Sequence, residues 1–217
     1  IWRKSCILDA GNWQGAPLTE DLDLSYRAQL KHWKFTYLEE VVTPAELPIT
    51  INAIRSQQFR WNKGGAENFR KMIRNVVRAK GHSPWTKINA FFHLLNSSMF
   101  LNVLLVALLS VPLLFIKAAY PELNWIFNLS ALFILSTLIF FSCYWFIHQR
   151  VFGCGFYSFL EYIKRFLSFY SLVIGFSIHN SIAVLEGHLG KKSAFIRTPK
   201  FNQNTSQTQL KKYKYAR

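Results

Sequence analysis

The sequence predicts an α-helical membrane region attached to the C-terminal edge of an α/β domain. Three observations predict it. Two long stretches carry no Asp, Glu, Lys or Arg, one between Lys87 and Lys117 and one between Glu122 and Arg150. A basic amphipathic segment precedes the first of them. The opening fifty residues pair a helical pattern with an alternating one.

The amphipathic stripe of the opening region comes first. Thr19 is placed to cap a helix running to about His32, with Glu20, Asp21 and Asp23 in a first turn that the helix dipole favours. Leu22, Tyr26 and Leu30 recur every four residues and predict a buried stripe. Trp33 to Leu38 alternates apolar and polar side chains, as a half-buried strand does, and Pro44 and Pro48 break regular structure after it. Residues 1–52 therefore read as the end of an α/β domain.

A second helical pattern starts at Ile51, with an interruption expected at Gly64-Gly65. Beyond it Phe69, Met72, Ile73, Val76 and Val77 line one face and Arg70, Lys71, Arg74 and Arg78 the rest. Residues 53–88 read as helices lying in a membrane interface, ended by Gly81 and Ser83-Pro84. Residues 89–149 read as two transmembrane helices, about 90–117 and 124–147, joined tightly at Tyr120-Pro121, with Trp125, Tyr144 and Trp145 as interfacial anchors. Residues 150–187 are an interfacial, re-entrant or further transmembrane segment. Residues 188–201 form a glycine-flanked segment, and the polar tail 202–217 is expected to be disordered.

Composition narrows the function. At 51% hydrophobic the average is unremarkable for a folded chain, so the distribution carries the membrane reading. The formal charge of +15 would suit nucleic acid. The basic residues instead cluster beside the apolar stretches, which points to anionic headgroups and a cytoplasmic face for the 55–87 region; no nucleic-acid partner is expected. Cys6, Cys143 and Cys154 imply no disulfide framework, in keeping with a reducing compartment. The oligomeric state is not legible.

Three clusters carry chemistry. Glu20 and Asp21 offer carboxylates for proton abstraction from a hydroxyl, although an acidic first turn is also an ordinary helix start. Gln57, Arg60 and Trp61 share one helical face. Arginine grips diphosphates through paired hydrogen bonds, and an indole offers a plane on which a pyranose ring stacks; an interfacial Trp beside a lipid-facing Arg would look the same. Phe195 to Lys200, after Gly187 and Gly190, combines a hydroxyl with two cations and suits either a phosphate or lipid heads.

Thr19-Glu20-Asp21, Gln57-x-x-Arg60-Trp61 and Phe195-x-x-Thr198-x-Lys200 together resemble the membrane-integrated family 2 glycosyltransferases, and most the bacterial cellulose- and mannan-synthase-like branch, over residues 1 to about 201. The resemblance implies that residues 1–52 are the C-terminal part of a GT-A catalytic domain. It implies Asp21 as general base, with Glu20, Gln57, Arg60 and Trp61 contacting substrate. Phe195, Thr198 and Lys200 would belong to a cytoplasmic gating loop that reaches the nucleotide. Arg197 departs from the valine usual in cellulose synthase. The family's divalent metal, Mg or Mn, is expected on residues upstream of Thr19 that this chain does not supply, so the chain should be inactive alone.

The activity implied is inverting transfer of a hexose from a nucleotide-sugar to a growing polysaccharide, with export across a bacterial inner (plasma) membrane. Single transfer to a membrane lipid such as ceramide, and a non-enzymatic anchor or transporter fragment, are the alternatives. If Arg60 and Lys200 serve one nucleotide, the chain between them crosses the membrane an even number of times, which favours an interfacial or re-entrant 151–190.

Overall fold

The structure is a computed structural model that describes residues 2–194 apart from 39, 42, 44, 46, 47 and 131. Phe195, Thr198, Lys200 and the tail 202–217 lie outside the described residues. Among the described residues every regular element is helical: α1 (Lys4–Asp9), α2 (Glu20–Leu30), α3 (Ile51–Arg78), α4 (Pro84–Leu95), α5 (Met99–Ala119), α6 (Asn124–Leu129), α7 (Leu132–Phe152) and α8 (Phe156–Leu189), with short 3-10 turns at Asn96–Ser98 and Pro121–Leu123. Contacts divide the chain into two units, Ile1–Phe100 with His179–Arg217, and Leu101–Ile178.

In the first unit α2 is buried on two faces. The predicted stripe holds: Tyr26, Met72, Val76 and Leu94 form a core against which Leu22, Leu30, Phe69 and Ala90 pack. The opposite face packs Leu24 and Ala28 on Cys6 and Ala10 of the α1 segment. Arg27 ties these elements together, donating to the carbonyls of Ala10 and Asn12. Asp9 accepts from Trp33 Nε1 at 2.9 Å and pairs with Lys31, and the two together hold its carboxyl below the usual range.

The alternating segment Trp33–Leu38 is not a strand; there is no sheet among the described residues. Alternation makes a strand only where a neighbouring strand completes the hydrogen-bond ladder, and no described segment does so. Phe35, Tyr37 and Leu38 stay exposed.

Helix α3 is the long axis of this unit, 28 residues or about 42 Å at 1.5 Å per residue. Thr50 caps it by accepting from the Ala53 N–H at 3.2 Å. Gly64-Gly65 does not interrupt it. Glycine costs a helix about 1 kcal/mol relative to alanine, and here that cost is offset by contact. A Cβ on Gly64 would lie 2.6 Å from Thr19 Oγ1, one on Gly65 would overlap Ser97 Oγ, and one on Gly187 of α8 would lie 2.6 Å from the Lys63 carbonyl. The missing side chains let three other segments reach the α3 backbone within one turn. Ser83 and Pro84, read as a helix end, begin α4: the Ser83 hydroxyl accepts from the Thr86 N–H and Pro84 occupies the first turn.

Three helical stretches, Pro84–Ala119, Pro121–Phe152 and Phe156–Leu189, are long and apolar enough to cross a membrane. In the second unit α5 buries none of its residues, as a helix that presents its surface to lipid would. Helix α7 meets the first part of α8 through Trp145, His148, Phe141 and Tyr162, whose hydroxyl donates to the Phe141 carbonyl at 2.7 Å. Helix α8 is continuous over 34 residues where the sequence allowed two pieces. Glu161 and Arg165, which break the apolar run, pair with each other one turn apart at 2.6 Å and so leave the helix intact.

Two outcomes follow. Gly64→Ala should destabilise the fold by about 1–3 kcal/mol through overpacking against Thr19, read as a lowered thermal midpoint, while Gly15→Ala, which meets nothing within 4 Å, should leave it in place. Burial raises the Tyr26 phenol to about 12. The stability that the neutral phenol contributes is present below the ordinary tyrosine value of 10.0 and is lost as pH rises through about 12. Tyr26→Phe should remove one late tyrosinate step from the alkaline ultraviolet titration and flatten stability over that interval.

Candidate functional site

Helix α3 carries Gln57 and Trp61 on the same face as Gly64 and Asn68, by the three- and four-residue spacing of a helix. The N-terminus of α2 seats on that face. Asn68 Nδ2 donates to Thr19 Oγ1 at 2.8 Å and to the Thr19 carbonyl at 3.1 Å, and Glu67 accepts from the Leu18 N–H at 2.9 Å. Thr19 therefore does not cap α2 with its side chain as expected. Its hydroxyl is turned to α3 and fixes where Glu20 and Asp21 begin. Trp61 lies one turn before this seat and Gln57 a turn further.

The acids of the first turn divide sharply. Asp21 is exposed and its Oδ1 accepts from the Leu22 N–H at 2.8 Å. Asp23, two residues on, is fully buried between Arg27 at 2.8 Å and Lys71 at 2.6 Å. Asp23 is thus held as a fixed counter-charge, while Glu20 and Asp21 are left exposed.

Two recesses flank the α2–α3 seat. One of about 370 Å³ is lined by Leu18, Arg55, Phe59, Arg60, His179 and Ser193 among others. The other, about 890 Å³, is lined by Pro17, Leu18, Glu20, Glu67, Arg70, Lys71, Gly190, Lys192 and Ser193. Leu18, next to the Thr19-Glu20-Asp21 cluster, and Ser193, two residues before Phe195, line both. The shoulders of all three sequence clusters therefore meet around Arg60. Asp21, Gln57 and Trp61 are not among the residues lining either recess; Trp61 is 49% exposed, an open indole face rather than a core side chain.

The end of α8 is fixed to α3 beside this region. Lys63, fully buried, pairs with Glu186 at 2.9 Å, and Glu186 also pairs with Lys191 at 2.6 Å. His188 Nε2 meets Ser98 Oγ at 2.9 Å. Asn68, Lys63 and Glu186 were not singled out by sequence, and Asp23 only as one acid of the α2 first turn. Asn68 carried a usable signal, since it continues the Gln57–Trp61–Gly64 face. Asp23 did not, because buried and exposed acids of a first turn look alike in one sequence.

A divalent cation does not fit the described residues. No three His, Cys, Asp or Glu side chains converge among them, and Asp23 is committed to two cations.

The family profile described as glycosyl transferase family group 2 matches residues 1–148, and the chain belongs to that family. Among curated proteins it is similar to glucomannan 4-beta-mannosyltransferase 1 of Oryza sativa subsp. japonica, 45% identical over 93 residues, which is 43% of this chain and 18% of that protein. It is 44% identical to glucomannan 4-beta-mannosyltransferase 2 of Arabidopsis thaliana over 92 residues, 42% of this chain and 17% of the relative. The chain thus spans less than a fifth of the curated relatives it matches. Those relatives are plant proteins, which gives the bacterial placement no support. No solved structure matches.

Asp23→Asn should cost about 3 kcal/mol by leaving Arg27 and Lys71 without their buried counter-charge, measured by denaturant unfolding, whereas Asp21→Asn should be nearly neutral for folding.

Proposed function

We propose that this chain is the acceptor-side and membrane portion of a glycosyltransferase that adds a sugar, with inversion, from a nucleotide-sugar to a growing polysaccharide. The names of the relatives favour mannosyl transfer to a β-1,4-linked glucomannan. The observation that carries the reading is the meeting of Leu18, Arg60 and Ser193 around adjoining recesses. It supports bringing the start of α2 and Arg60 to one substrate.

In this reading Asp21 takes the proton of the acceptor hydroxyl as its oxygen attacks the anomeric carbon. The bond from that carbon to the diphosphate breaks, and the nucleoside diphosphate departs with both bonding electrons. Arg60, with Gln57, holds the diphosphate through charge-assisted hydrogen bonds. Trp61 offers its exposed face to the terminal sugar of the acceptor, and Glu20 contacts substrate beside Asp21. Phe195, Thr198 and Lys200 close over the nucleotide. Polymer leaves along the membrane helices.

The test uses the full-length protein in membranes, supplied with radiolabelled nucleotide-mannose. Asp21→Asn should lower transfer by about 10²-fold or more, the usual worth of a general base, with membrane insertion unchanged. Trp61→Ala should raise the KM for acceptor more than that for donor. Transfer by Asp21→Asn within about twofold of the parent would remove Asp21 from the role of base.

A further inference from the structure

We infer that the first unit holds a second site: a pocket between the α2 end, the α3 end and the start of α4 that takes the phosphate of an anionic phospholipid headgroup. The pocket has a volume of about 580 Å³ and is lined by His32, Trp33, Lys34, Val76, His82 and Lys87 among others. Val76 lies about 18 Å along α3 from Gly64, at 1.5 Å per residue, so the pocket is separate from the α2–α3 seat.

Its charge is of one sign. His32, Lys34, His82 and Lys87 are basic, and no Asp or Glu is among the lining residues. Lys87 Nζ donates to the Val77 carbonyl at 3.0 Å, which fixes the ammonium at the wall while leaving it further protons to donate. His82 Nε2 is buried and has no hydrogen-bond partner among the described residues. A buried ring nitrogen without a partner is costly, and a ligand oxygen that reached it would relieve that cost.

The backbone is shaped to bring the two imidazoles together. Their rings stack at 4.5 Å with 15° between planes. His32 has φ 63 and Gly81 φ 78, both left-handed, and a Cβ on Gly81 would lie 3.0 Å from His32 Cε1. Such conformations persist where surrounding structure holds them, often at ligand sites.

Position selects the source of the phosphate. Thr86, Lys87 and Ala90 of the lining sit on the first turns of Pro84–Ala119, the first stretch able to cross a membrane. The head of a membrane helix with basic flanks lies at headgroup depth on an anionic leaflet. Trp33 suits that depth, and the apolar Leu30 and Val76 offer a wall to the glycerol and upper acyl carbons.

The experiment reconstitutes the full-length protein with phosphatidylglycerol or phosphatidylcholine and counts retained lipids by native mass spectrometry, with inorganic phosphate as a competitor. Phosphatidylglycerol should be retained over phosphatidylcholine. Lys34→Glu, an exposed position safe for folding, should weaken its retention about tenfold, and His82→Ala similarly, the scale of one charge-assisted hydrogen bond. Retention unchanged in both variants would overturn the proposal. So would retention indifferent to headgroup charge, or phosphate binding that Lys34→Glu abolishes without any lipid retained, which would mark a soluble anion instead. Circular dichroism of Lys34→Glu separates lost binding from lost folding. The readout is binding and does not depend on the catalytic reading.

Discussion

Thr19 rests against the bare backbone of α3 at Gly64, with Asn68 donating twice to it. Almost everything placed near the candidate site descends from that contact. It sets where α2 begins, and so where Glu20 and Asp21 lie relative to the helix that bears Gln57, Arg60 and Trp61. Neighbouring positions of the same α3 turn receive Ser97 and Gly187. One turn of helix without side-chain bulk thus gathers the α2 start, the α4–α5 junction and the α8 end. Close packing of this kind is intolerant: an interior near crystal density accepts no added carbon without displacement.

Buried ions are fully engaged: Asp23 by Arg27 and Lys71, Lys63 by Glu186. Such pairs add little net stability over apolar replacements but penalise any arrangement that separates them. They therefore specify how α2 and α8 dock on α3.

Much of this was legible in sequence where a single physical rule decides. Charge-free length marks α5 and α7, and four-residue spacing marks the buried stripe of α2. The readings that failed needed a partner to interpret. Gly64-Gly65 looks like a helix break until the segments that need its bareness are known. Trp33–Leu38 alternates like a strand, but a strand is a property of pairs. The charges of α8 look like an interruption until Glu161 and Arg165 are seen to satisfy each other. At the candidate site the residue types were legible and their support was not, because Asp23, Asn68 and Glu186 act through contacts 48 to 123 positions away in the chain.

The docking of α8 has a consequence for how such chains can diverge. Glu186, Gly187 and His188 each meet a different neighbour, at Lys63, at the α3 backbone and at Ser98. One residue inserted between Asn180 and Gly187 would turn the helix end by about 100° and misalign all three at once. Length changes should accumulate instead near Gly153 and Gly155, where a side chain would meet nothing within 4 Å. In a lineage of related chains, the distance from Asn180 to Gly190 should stay fixed while the α7–α8 turn drifts.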